Sequence, residues 1–443
     1  MNDRLFSFII ISLLLLLPFT SFAQQTDPNI QRSQQFFEYV QAGKGDSAHA
    51  MLSSNIKQQV TVELLSNIFT QLQQQAGKFQ GQGAWKSTKV ENVVIYYSDL
   101  TFENTSLRFI TSFDSDGMAN TFRITPIPTG AASDEGSYDK EKLEEKDMQI
   151  VSGDFKLPAT LTMPRGGTNL PVVILVHGSG PNNRNESVGK NHPFQDLAFG
   201  LAMRGVAVIR YDKRTYVYGQ KWLPAGHEAN IDDETVDDAV AAVDMIKTLP
   251  QINAKQVFVV GHSLGAMLAP RIAERAKSLA GIVMIAGNAR PLEDLLVEQV
   301  TYINQLTDFS GMPNSQIEEL KKQVANIKKI GTSDFDESIS LPLGLPKAYW
   351  LSCKNYSQLK TASNLQLPML IMQGERDYQV TMKDFELWQK VLLNKKNVQF
   401  KSYPKLNHLL QEGVGQSTPF EYNEYRAVPN YVMDDIATFI KKN

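Results

Sequence analysis

The segment VFVVGHSLGAMLAP, residues 257–270, combines a strand pattern with a helix pattern. Its first half is a short apolar run that suits a buried strand, and its second half is rich in Ala, Leu and Met, which favour a helix. Ser263 lies between the halves, with Gly261 and Gly265 two residues to either side. Small residues keep a sharp strand-to-helix turn free of clashes, so the pattern predicts such a turn with the serine exposed on it. Proline removes a helical hydrogen bond at a cost of about 3 kcal/mol, and we therefore expect a distorted turn at Pro270.

Four more apolar runs occur in the same half of the chain. They are PVVILVHG (residues 171–178), VAVIRYD (206–212), GIVMIAG (281–287) and PMLIMQG (368–374). Segments with helical spacing lie between them. Continuous apolar strands joined by helical crossovers are typical of a mostly parallel sheet that is covered on both faces. We therefore predict an α/β domain over residues 148–443, which opens with an antiparallel pair at 148–164 and binds its ligand at the carboxyl ends of the strands.

A smaller α+β domain is predicted over residues 27–126. Apolar residues recur at helical spacing in two segments, and alternating strand patterns follow, two of them separated by the hairpin signal DSDG at 114–117. The domain contains no cluster of His, Cys or paired acids, so we expect it to bind or position a molecule, or to contact a partner or a second subunit. Residues 127–147 are rich in Pro, Gly and Ser and then in charged residues, which is typical of a linker.

The first 23 residues have the pattern of an export signal. Arg4 precedes an apolar run at residues 5–17, and the small-residue site Ser21-Phe22-Ala23 follows it. We expect cleavage after Ala23 and a periplasmic or secreted protein, with no membrane span after cleavage. An uncleaved membrane anchor is the alternative, although the run is shorter than the ~18 to 20 apolar residues that a span needs.

The composition limits the possible partners. The chain of 443 residues has 42% hydrophobic residues and a formal net charge of -3. Its lysines are dispersed, so it has no electrostatic footprint for nucleic acid, and a small neutral substrate fits better. The one cysteine, Cys353, cannot form an internal disulfide. Phosphate-loop motifs and zinc-ligand spacings are absent from the sequence, and we expect neither a cofactor nor a metal.

Ser263 is the candidate nucleophile. A serine hydroxyl attacks poorly at neutral pH unless it is exposed and activated by a base, which an acid in turn orients. In sheets of this kind the order along the chain is nucleophile, acid, histidine, each after a strand. His408 is the only histidine that follows Ser263. Asp377 is preferred to Glu375 as the acid, because its loop position a few residues past a strand suits a side chain that reaches back to a histidine.

Two backbone N–H groups are predicted to form the oxyanion hole, which stabilises the negative oxygen that develops during acyl transfer. The turn aims the N–H of Leu264, at the start of the new helix, toward that oxygen. The second donor is assigned to Ser179 or its neighbour in HGSG, residues 177–180, because glycines let a main chain approach a substrate closely. We expect His177, in the same motif, to brace this loop by hydrogen bonding.

The segment at 289–365 predicts a cap over the strand ends. It is far longer than the usual α/β connection of about two to six residues, and it has helical patterns of its own. Within it, Tyr349, Trp350 and Leu351 are candidates for the lining of an apolar acyl pocket. A packed aromatic cluster inside the cap is the alternative.

The order of the motifs LVHGSGPNNRN, AVIRYDKR, VVGHSLGAMLAP, LIMQGERDYQV and LNHLLQ resembles the α/β-hydrolase superfamily. Within it, the chain resembles bacterial exported esterases of the dienelactone-hydrolase-like branch that carry an N-terminal domain of unknown function. The resemblance implies a Ser263 nucleophile, an Asp377 acid, a His408 base and hydrolysis of carboxylic esters without a metal. Many members differ in having a cysteine nucleophile, or a glycine after YDKR where this chain has Thr215.

We therefore expect a serine hydrolase that cleaves esters of small or medium acyl groups through an acyl-Ser263 intermediate. The same triad would serve a peptidase, a thioesterase or an acyltransferase, because the cap decides the substrate and carries no transferable signature. A different class of function is a non-catalytic binding protein on a hydrolase shell. The complete set of triad candidates in the expected order favours the enzyme.

Overall fold

The computed structural model describes residues 27–57, 60–90, 93–103, 106–126, 138–223, 226–306 and 314–443. The chain divides into two compact units, Met1–Ile127 and Pro128–Asn443. The predicted export segment at 1–23 and the predicted linker residues 127–137 lie outside the described residues. Within the described ranges, no helix has the length and apolar character that crossing a membrane requires.

The described part of the first unit combines helices with an antiparallel sheet. The helices are α1 (Pro28–Gln41), α2 (Gly45–Ala50), α3 (Ser54–Lys57) and α4 (Val62–Ala76). The strands are β1 (Phe79–Gln82), β2 (Lys86–Val90), β3 (Val93–Phe102), β4 (Ser106–Phe113) and β5 (Ala119–Pro126). Their order across the sheet is β1, β3, β4, β5, and β2 also pairs with β3. The predicted α+β class of this unit is confirmed.

Aromatic side chains fill the core of the first unit. Phe37 of α1 lies edge-on to Phe69 of α4 and to Phe109 of β4, with ring centroids 5.9 and 5.2 Å apart. Edge-to-face pairs of this kind contribute stability beyond the area that they bury. The turn at 114–117 joins β4 to β5, and the carboxylate of Asp114 closes it by accepting from the N–H of Met118 at 2.9 Å.

The second unit is built on an eight-stranded, mostly parallel sheet. Its strands are β6 (Leu143–Ser152), β7 (Phe155–Pro164), β8 (Leu170–Val176), β9 (Ala207–Tyr211), β10 (Ile252–His262), β11 (Gly281–Ile285), β12 (Met369–Gly374) and β13 (Val398–Tyr403). The order across the sheet is β13, β12, β11, β10, β8, β9, β7, β6. The pairs from β13 to β9 are parallel, and β7 is antiparallel to both β9 and β6. The predicted α/β fold class is confirmed.

Helices cover both faces of this sheet. The helices described in this unit are α5 (Pro193–Ala202), α6 (Arg214–Tyr218), α7 (Asp237–Ile246), α8 (Leu264–Ala276), α9 (Leu292–Asn304), α10 (Asn314–Ile327), α11 (Lys347–Asn355), α12 (Gln358–Asn364), α13 (Met382–Leu392) and α14 (Asn430–Lys442). Alternate residues of β8 belong to different cores: Ile174 packs with α7 and α8, whereas Val173 and Leu175 pack with α5 and α14. A strand that is buried on both faces explains the unbroken apolar run in the sequence.

Residues 143–147, assigned above to the linker, form the first half of β6 instead. Glu145 of β6 is in register with Thr162 of β7, and its carboxylate accepts from the Thr162 hydroxyl at 2.7 Å. The charged residues that suggested a linker, residues 144–147, are alternately half-buried and exposed along this edge strand. Charges on an edge strand discourage pairing with other chains, so charge at this position is compatible with a strand.

The helix after Ser263 corrects the expectation for Pro270. α8 continues through this proline as one helix, so no break occurs there. The residues around it, Leu268, Ala269 and Ile272, are completely buried. Tertiary packing of a buried helix outweighs intrinsic propensity, and it offsets the hydrogen bond that proline removes.

Helices α9, α10, α11 and α12 lie in the described part of the predicted cap segment, between β11 and β12. α12 packs against α8 and α13. Tyr349 and Trp350 of α11 are only 2% and 0% exposed, and their rings meet edge to face at 5.8 Å, whereas Leu351 is 37% exposed. Tyr349 and Trp350 therefore form a packed aromatic cluster, which was the alternative to an acyl-pocket lining.

Candidate active site

Ser263 occupies the turn between β10 and α8, here called the elbow, in a strained backbone conformation. Its φ is 53° and its ψ is -116°, a region that non-glycine residues rarely adopt. A methyl group on Gly261 would lie 2.2 Å from the carbonyl oxygen of Gly265, and one on Gly265 would lie 2.2 Å from that of Val176. Space therefore requires glycine on both sides of the serine.

The main chain of the elbow is fixed at both ends. The N–H of Ser263 donates to the carbonyl oxygen of Ile285 at 2.9 Å, and its own carbonyl accepts from the N–H of Met267 at 3.0 Å. Leu264 is the first residue of α8, and the first N–H groups of a helix have no partner within that helix. Together with the helix dipole, they favour a negative charge at this end. This is the position predicted for one oxyanion donor.

The loop that carries the second predicted donor follows β8 and lies against the serine. A methyl group on Gly178 would lie 3.2 Å from Cβ and 3.6 Å from Oγ of Ser263. The side-chain amide of Asn182 holds this loop by donating to the carbonyl oxygens of Gly178, at 3.2 Å, and Ser179, at 3.0 Å. The peptide between Gly178 and Ser179 therefore borders the elbow.

Asp377 and His408 are in direct contact. Nδ1 of His408 donates to Oδ2 of Asp377 at 2.7 Å, and both side chains are buried. The other carboxylate oxygen of Asp377 accepts from the N–H groups of Gln379, at 2.7 Å, and Val380, at 3.0 Å. The amide of Gln373 donates to Oδ2 at 3.1 Å. Four donors thus hold the carboxylate in one orientation.

Glu375, the alternative acid, lies elsewhere. Its side chain is exposed, and one of its carboxylate oxygens accepts from the hydroxyl of Ser402 at 2.7 Å. Of the two candidate acids, the structure places Asp377 on His408.

His262, the residue before the serine, connects His408 to the elbow. The two rings have centroids 4.7 Å apart, and Nε2 of His262 donates to the carbonyl oxygen of His408 at 2.9 Å. Nδ1 of His262 lies 2.9 Å from Oε2 of Glu186, in an ion-pair contact that is not aligned as a hydrogen bond. Oε1 of Glu186 accepts from the N–H of Gly178 at 2.6 Å. These contacts link the oxyanion loop, the elbow and His408.

Glu186 and His262 form a buried ion pair. Burial by itself would raise the pKa of Glu186, but the charge of His262 and the N–H of Gly178 outweigh it and hold the pKa below its ordinary value. Burial would likewise lower the pKa of His262, and the charge of Glu186 outweighs it, so this pKa lies above its ordinary value. Removing one partner of a buried pair typically costs about 3 to 5 kcal/mol, because the remaining charge is left uncompensated.

Several buried charges near the predicted site were not predicted from the sequence. Besides Glu186 and His262, they include Lys213, two residues past the end of β9, and its ion-pair partner Glu234. Glu186 and Lys213 lie in the loops after β8 and β9, on the same edge of the sheet as Asp377 and His408. A charged residue just past a buried strand was the signal that could have found Lys213.

His177 braces the oxyanion loop as expected. Its Nε2 donates to the carbonyl oxygen of Asn183 at 3.1 Å, and its ring packs against Phe194 and Tyr211, with centroids 5.0 and 5.2 Å away. Burial, with a smaller contribution from the charge of Lys213, lowers the pKa of His177 to about 4. His177 is therefore neutral in the folded protein at pH 7.

We expect the second unit to lose stability as the pH falls from about 6.5 to about 4, because the unfolded chain binds a proton at His177 in this range and the folded chain does not. The lowered pKa of His177 should reduce the free energy of unfolding by about 2 kcal/mol between pH 7 and pH 5. Urea unfolding, followed by the fluorescence of the buried Trp350 and Trp388, measures it. His177→Gln keeps a donor for Asn183 and should lack this part of the pH dependence; an identical dependence in both proteins would contradict the assignment.

A strained serine elbow, an acid–histidine pair and an oxyanion loop, all at the carboxyl ends of a mostly parallel sheet, define a serine hydrolase of the α/β-hydrolase class. A family profile described as "Serine aminopeptidase, S33" matches residues 168–413, more than half of the chain. The chain belongs to this family. A second profile, DUF3887, described as a protein of unknown function, matches residues 33–122. The resemblance to α/β-hydrolase esterases with an N-terminal domain of unknown function is confirmed.

Individual relatives bear related names. Esterase EstD of Thermotoga maritima is 36% identical over 409 residues, which cover 92% of this chain and 94% of the relative. The uncharacterized peptidase YuxL of Bacillus subtilis is 25% identical over 234 residues, or 52% of this chain and 29% of the relative. Among solved structures, Est1E from Butyrivibrio proteoclasticus has a TM-score of 0.43 and 16% identity, over 67% of this chain and 98% of its own.

Proposed function

We propose that the protein hydrolyses carboxylic esters through an acyl intermediate on Ser263. The observation that carries the proposal is the strained elbow at the start of α8, beside which the Asp377–His408 pair packs on His262. A relative that is similar over nearly the whole chain bears the name esterase, which supports the same reaction. A non-catalytic binding shell would have no need for a strained serine next to an oriented histidine.

The proposed acylation uses five groups. Nε2 of His408 takes the proton of the Ser263 hydroxyl while Oγ bonds to the ester carbonyl carbon. The π-electron pair of the carbonyl moves onto its oxygen, which accepts from the N–H groups of Leu264 and Ser179. When the intermediate collapses, the bond to the alkoxy oxygen breaks and the leaving alcohol takes the proton from His408. Asp377 keeps Nδ1 protonated, and Nε2 is therefore free to act as the base.

Deacylation repeats these steps with water. His408 takes a proton from water while the water oxygen bonds to the acyl carbon, and the same two N–H groups stabilise the second oxyanion. Collapse breaks the bond from the acyl carbon to Oγ of Ser263, which recovers its proton from His408 as the acid leaves. A thioesterase differs only in its leaving group and an acyltransferase only in its acceptor, so both use the same intermediate.

The pairing of acidic groups favours an ester over an amino-terminal peptide substrate. An aminopeptidase binds the ammonium group of its substrate, for which a carboxylate without another cationic partner is the ordinary ligand. The acidic side chains beside the elbow already have cationic or imidazole partners: Glu186 with His262, Asp377 with His408, and Glu234 with Lys213. A neutral substrate leaves these pairs intact.

Hydrolysis of p-nitrophenyl esters from acetyl to dodecanoyl, beside aminoacyl p-nitroanilides and an acyl thioester, tests the proposal. We expect the largest kcat/KM within the ester series, with the background rate taken from Ser263→Ala. The preferred chain length measures the acyl pocket. Preference for the anilides or the thioester would replace the esterase assignment with a peptidase or thioesterase. If no substrate reacted and a fluorophosphonate did not label Ser263, a binding role would replace catalysis.

We also propose that the first unit binds or positions a molecule, or contacts a partner or a second subunit, and that the protein is exported to the periplasm or secreted. Most of the described aromatic residues of the first unit pack in its own core, so we expect its polar surface to make any contact with a molecule or partner. The pattern of Arg4, the apolar run and the small-residue site supports export.

A further inference from the structure

Lys213 is a buried cation beside the oxyanion loop. Its side chain follows β9 and is 1% exposed as a residue, and its Nζ donates to the carbonyl oxygen of Gly178 at 2.9 Å. An ammonium group is costly to bury unless it is both paired and hydrogen bonded. The loop that it contacts is the one that carries the proposed Ser179 donor.

Glu234 supplies the opposite charge and connects Lys213 to the cap. One oxygen of Glu234 accepts from Nζ of Lys213, and the other accepts from the hydroxyl of Tyr349. Tyr349 belongs to α11, whereas Glu234 lies in the π-helical turn Asp232–Val236 that precedes α7. All three side chains are buried. A continuous buried chain of hydrogen bonds therefore runs from a helix of the cap segment to the oxyanion loop.

The carbonyl that Lys213 contacts belongs to the same peptide unit as the N–H of Ser179. A peptide unit is planar and trans, so its C=O and N–H point in opposite directions. The oxygen of Gly178 accepts from Lys213 at 2.9 Å and from the amide of Asn182 at 3.2 Å, and these contacts fix the direction of the Ser179 N–H; of the two donors only Lys213 is charged. The positive charge also draws electron density away from the amide, which makes its N–H a stronger donor, and this effect is larger in a water-poor interior.

The preceding peptide unit is held by a group of opposite charge. The N–H of Gly178 donates to Glu186, and Glu186 is paired with His262. An anion thus holds Gly178 on its N–H side and a cation holds it on its carbonyl side. Glycine has the most backbone freedom of any residue, so the two charged contacts fix a backbone conformation of Gly178 that glycine alone would not hold.

We propose that Lys213 is a positioning residue for the oxyanion hole, whose ammonium orients and polarises the Ser179 N–H, and that Glu234 and Tyr349 couple this donor to the cap. The inference rests on the proposed ester hydrolysis at Ser263. Negative charge builds on the substrate oxygen in the transition state and not in the bound ester, so Lys213 affects kcat and leaves KM nearly unchanged.

The test removes both charges of the pair in one variant, K213M/E234Q, so that no uncompensated charge is left in the interior. Arg214 and Asp238 provide a matched control. They form a buried ion pair with each other, and Arg214 also donates to Ser152. Arg214 is the residue after Lys213, and Asp238 lies four residues after Glu234. The variant R214M/D238N measures the cost of removing a buried pair from the same region without changing the contacts of Lys213 with Gly178.

We expect K213M/E234Q to lower kcat for the preferred ester about 100-fold, the size of effect that loss of one oxyanion donor has, with KM changed by less than about threefold. A trifluoromethyl ketone provides a second readout, because Oγ of Ser263 adds to its carbonyl carbon and the resulting hemiketal oxygen occupies the oxyanion hole. Its affinity should fall by the same factor as kcat/KM. R214M/D238N should keep kcat and the affinity for the trifluoromethyl ketone within about threefold of the wild-type values, whatever its effect on Tm.

Two results would overturn the inference: a folded K213M/E234Q with unchanged kcat, or equal losses of kcat in the two double variants. If K213M/E234Q does not fold, Tyr349→Phe removes only one hydroxyl from Glu234 and should lower kcat by about three- to tenfold. An unchanged kcat in Tyr349→Phe would contradict both the coupling of Glu234 to the cap and the positioning role of Lys213.

The proposed function and the inference fail in different ways. If the wild-type protein hydrolyses no ester, the proposed function is wrong, and the rate at which a fluorophosphonate labels Ser263 then serves as the readout. Phosphonylation forms a bond from Oγ to phosphorus, expels fluoride and places the phosphoryl oxygen in the same hole. The inference requires K213M/E234Q to be labelled about 100-fold more slowly than the wild type and R214M/D238N, and equal labelling rates would refute it.

Discussion

Ser263→Ala is expected to lower kcat for ester hydrolysis by about 10⁴-fold or more and to leave the fold intact. Alanine has no oxygen with which to form the acyl bond, so the remaining rate comes from binding and the oxyanion donors alone. The substitution removes one atom from a half-buried side chain, and the main-chain hydrogen bonds that fix the elbow are unchanged. Steady-state kinetics on the preferred p-nitrophenyl ester, with circular dichroism and Tm for both proteins, make the comparison.

Ser278→Ala is the matched control for this variant. Ser278 is an exposed serine just beyond the opposite end of α8, and its replacement should leave kcat unchanged. Peptide mass analysis after treatment with a fluorophosphonate should find the added mass on Ser263 in the wild type and in Ser278→Ala. A Ser263→Ala protein that still hydrolyses esters at more than one hundredth of the wild-type rate would show that another group carries the reaction.

The elbow could be predicted from the sequence because its determinants are local. The strand, the serine and the two glycines lie within one continuous segment, residues 252–265. The clashes that exclude larger side chains involve the turn itself and the end of β8. The pairing of Asp377 with His408 was also accessible, because both follow strands whose carboxyl ends meet at one edge of the sheet. Preference for Asp377 over Glu375 rested on loop position, and the four donors around Asp377 provide the physical reason for it.

The buried ion pairs could not be predicted, because their determinants are distant in the chain. Glu186 meets His262 across 76 residues and Lys213 meets Glu234 across 21, with no periodic pattern that links them. In the sequence alone, charged residues in a motif predict a solvated loop, because their ion-pair partners become visible only in the folded structure. The same limitation explains residues 143–147, where charge on an edge strand resembled a linker.

These pairs give the site its electrostatic order. The strained serine needs fixed donors around it, and the glycines that allow the backbone to approach the substrate also remove side chains that would hold it. Opposite charges on the two sides of Gly178 offset that loss. The charges of Glu186, His262, Lys213 and Glu234 are paired within the protein, so a neutral substrate adds no uncompensated charge. The preorganised N–H donors then stabilise the negative charge that develops in the transition state.

Asp377→Asn is expected to lower kcat by about 10⁴-fold with little change in KM. Oδ1 would still accept from Gln379 and Val380, so the side chain keeps its place. The amide nitrogen would then replace Oδ2 and face Nδ1 of His408 as a donor, where the carboxylate was an acceptor. Its contact with Gln373 would also be lost, but the Gln373 amide keeps the carbonyl oxygens of Gly374 and Val380 as acceptors. Because the amide donates, Nδ1 of His408 becomes a hydrogen-bond acceptor and the proton of the neutral ring lies on Nε2. Nε2 can then no longer take the proton of the Ser263 hydroxyl. Measurement of kcat from pH 6 to 9 should show that the loss persists over the whole range, because the unreactive tautomer predominates throughout.

Glu375→Gln is the control that separates this effect from a loss of charge near the site. Glu375 lies two residues from Asp377 and carries the same charge, but its carboxylate contacts the hydroxyl of Ser402 and not His408. The same change from carboxylate to amide should therefore leave kcat within about threefold of the wild type, because it alters neither the tautomer nor the orientation of the histidine. Equal losses in the two variants would mean that negative charge at this end of β12 matters more than its contact with Nδ1. A large loss in Glu375→Gln alone would move the role of the acid to Glu375.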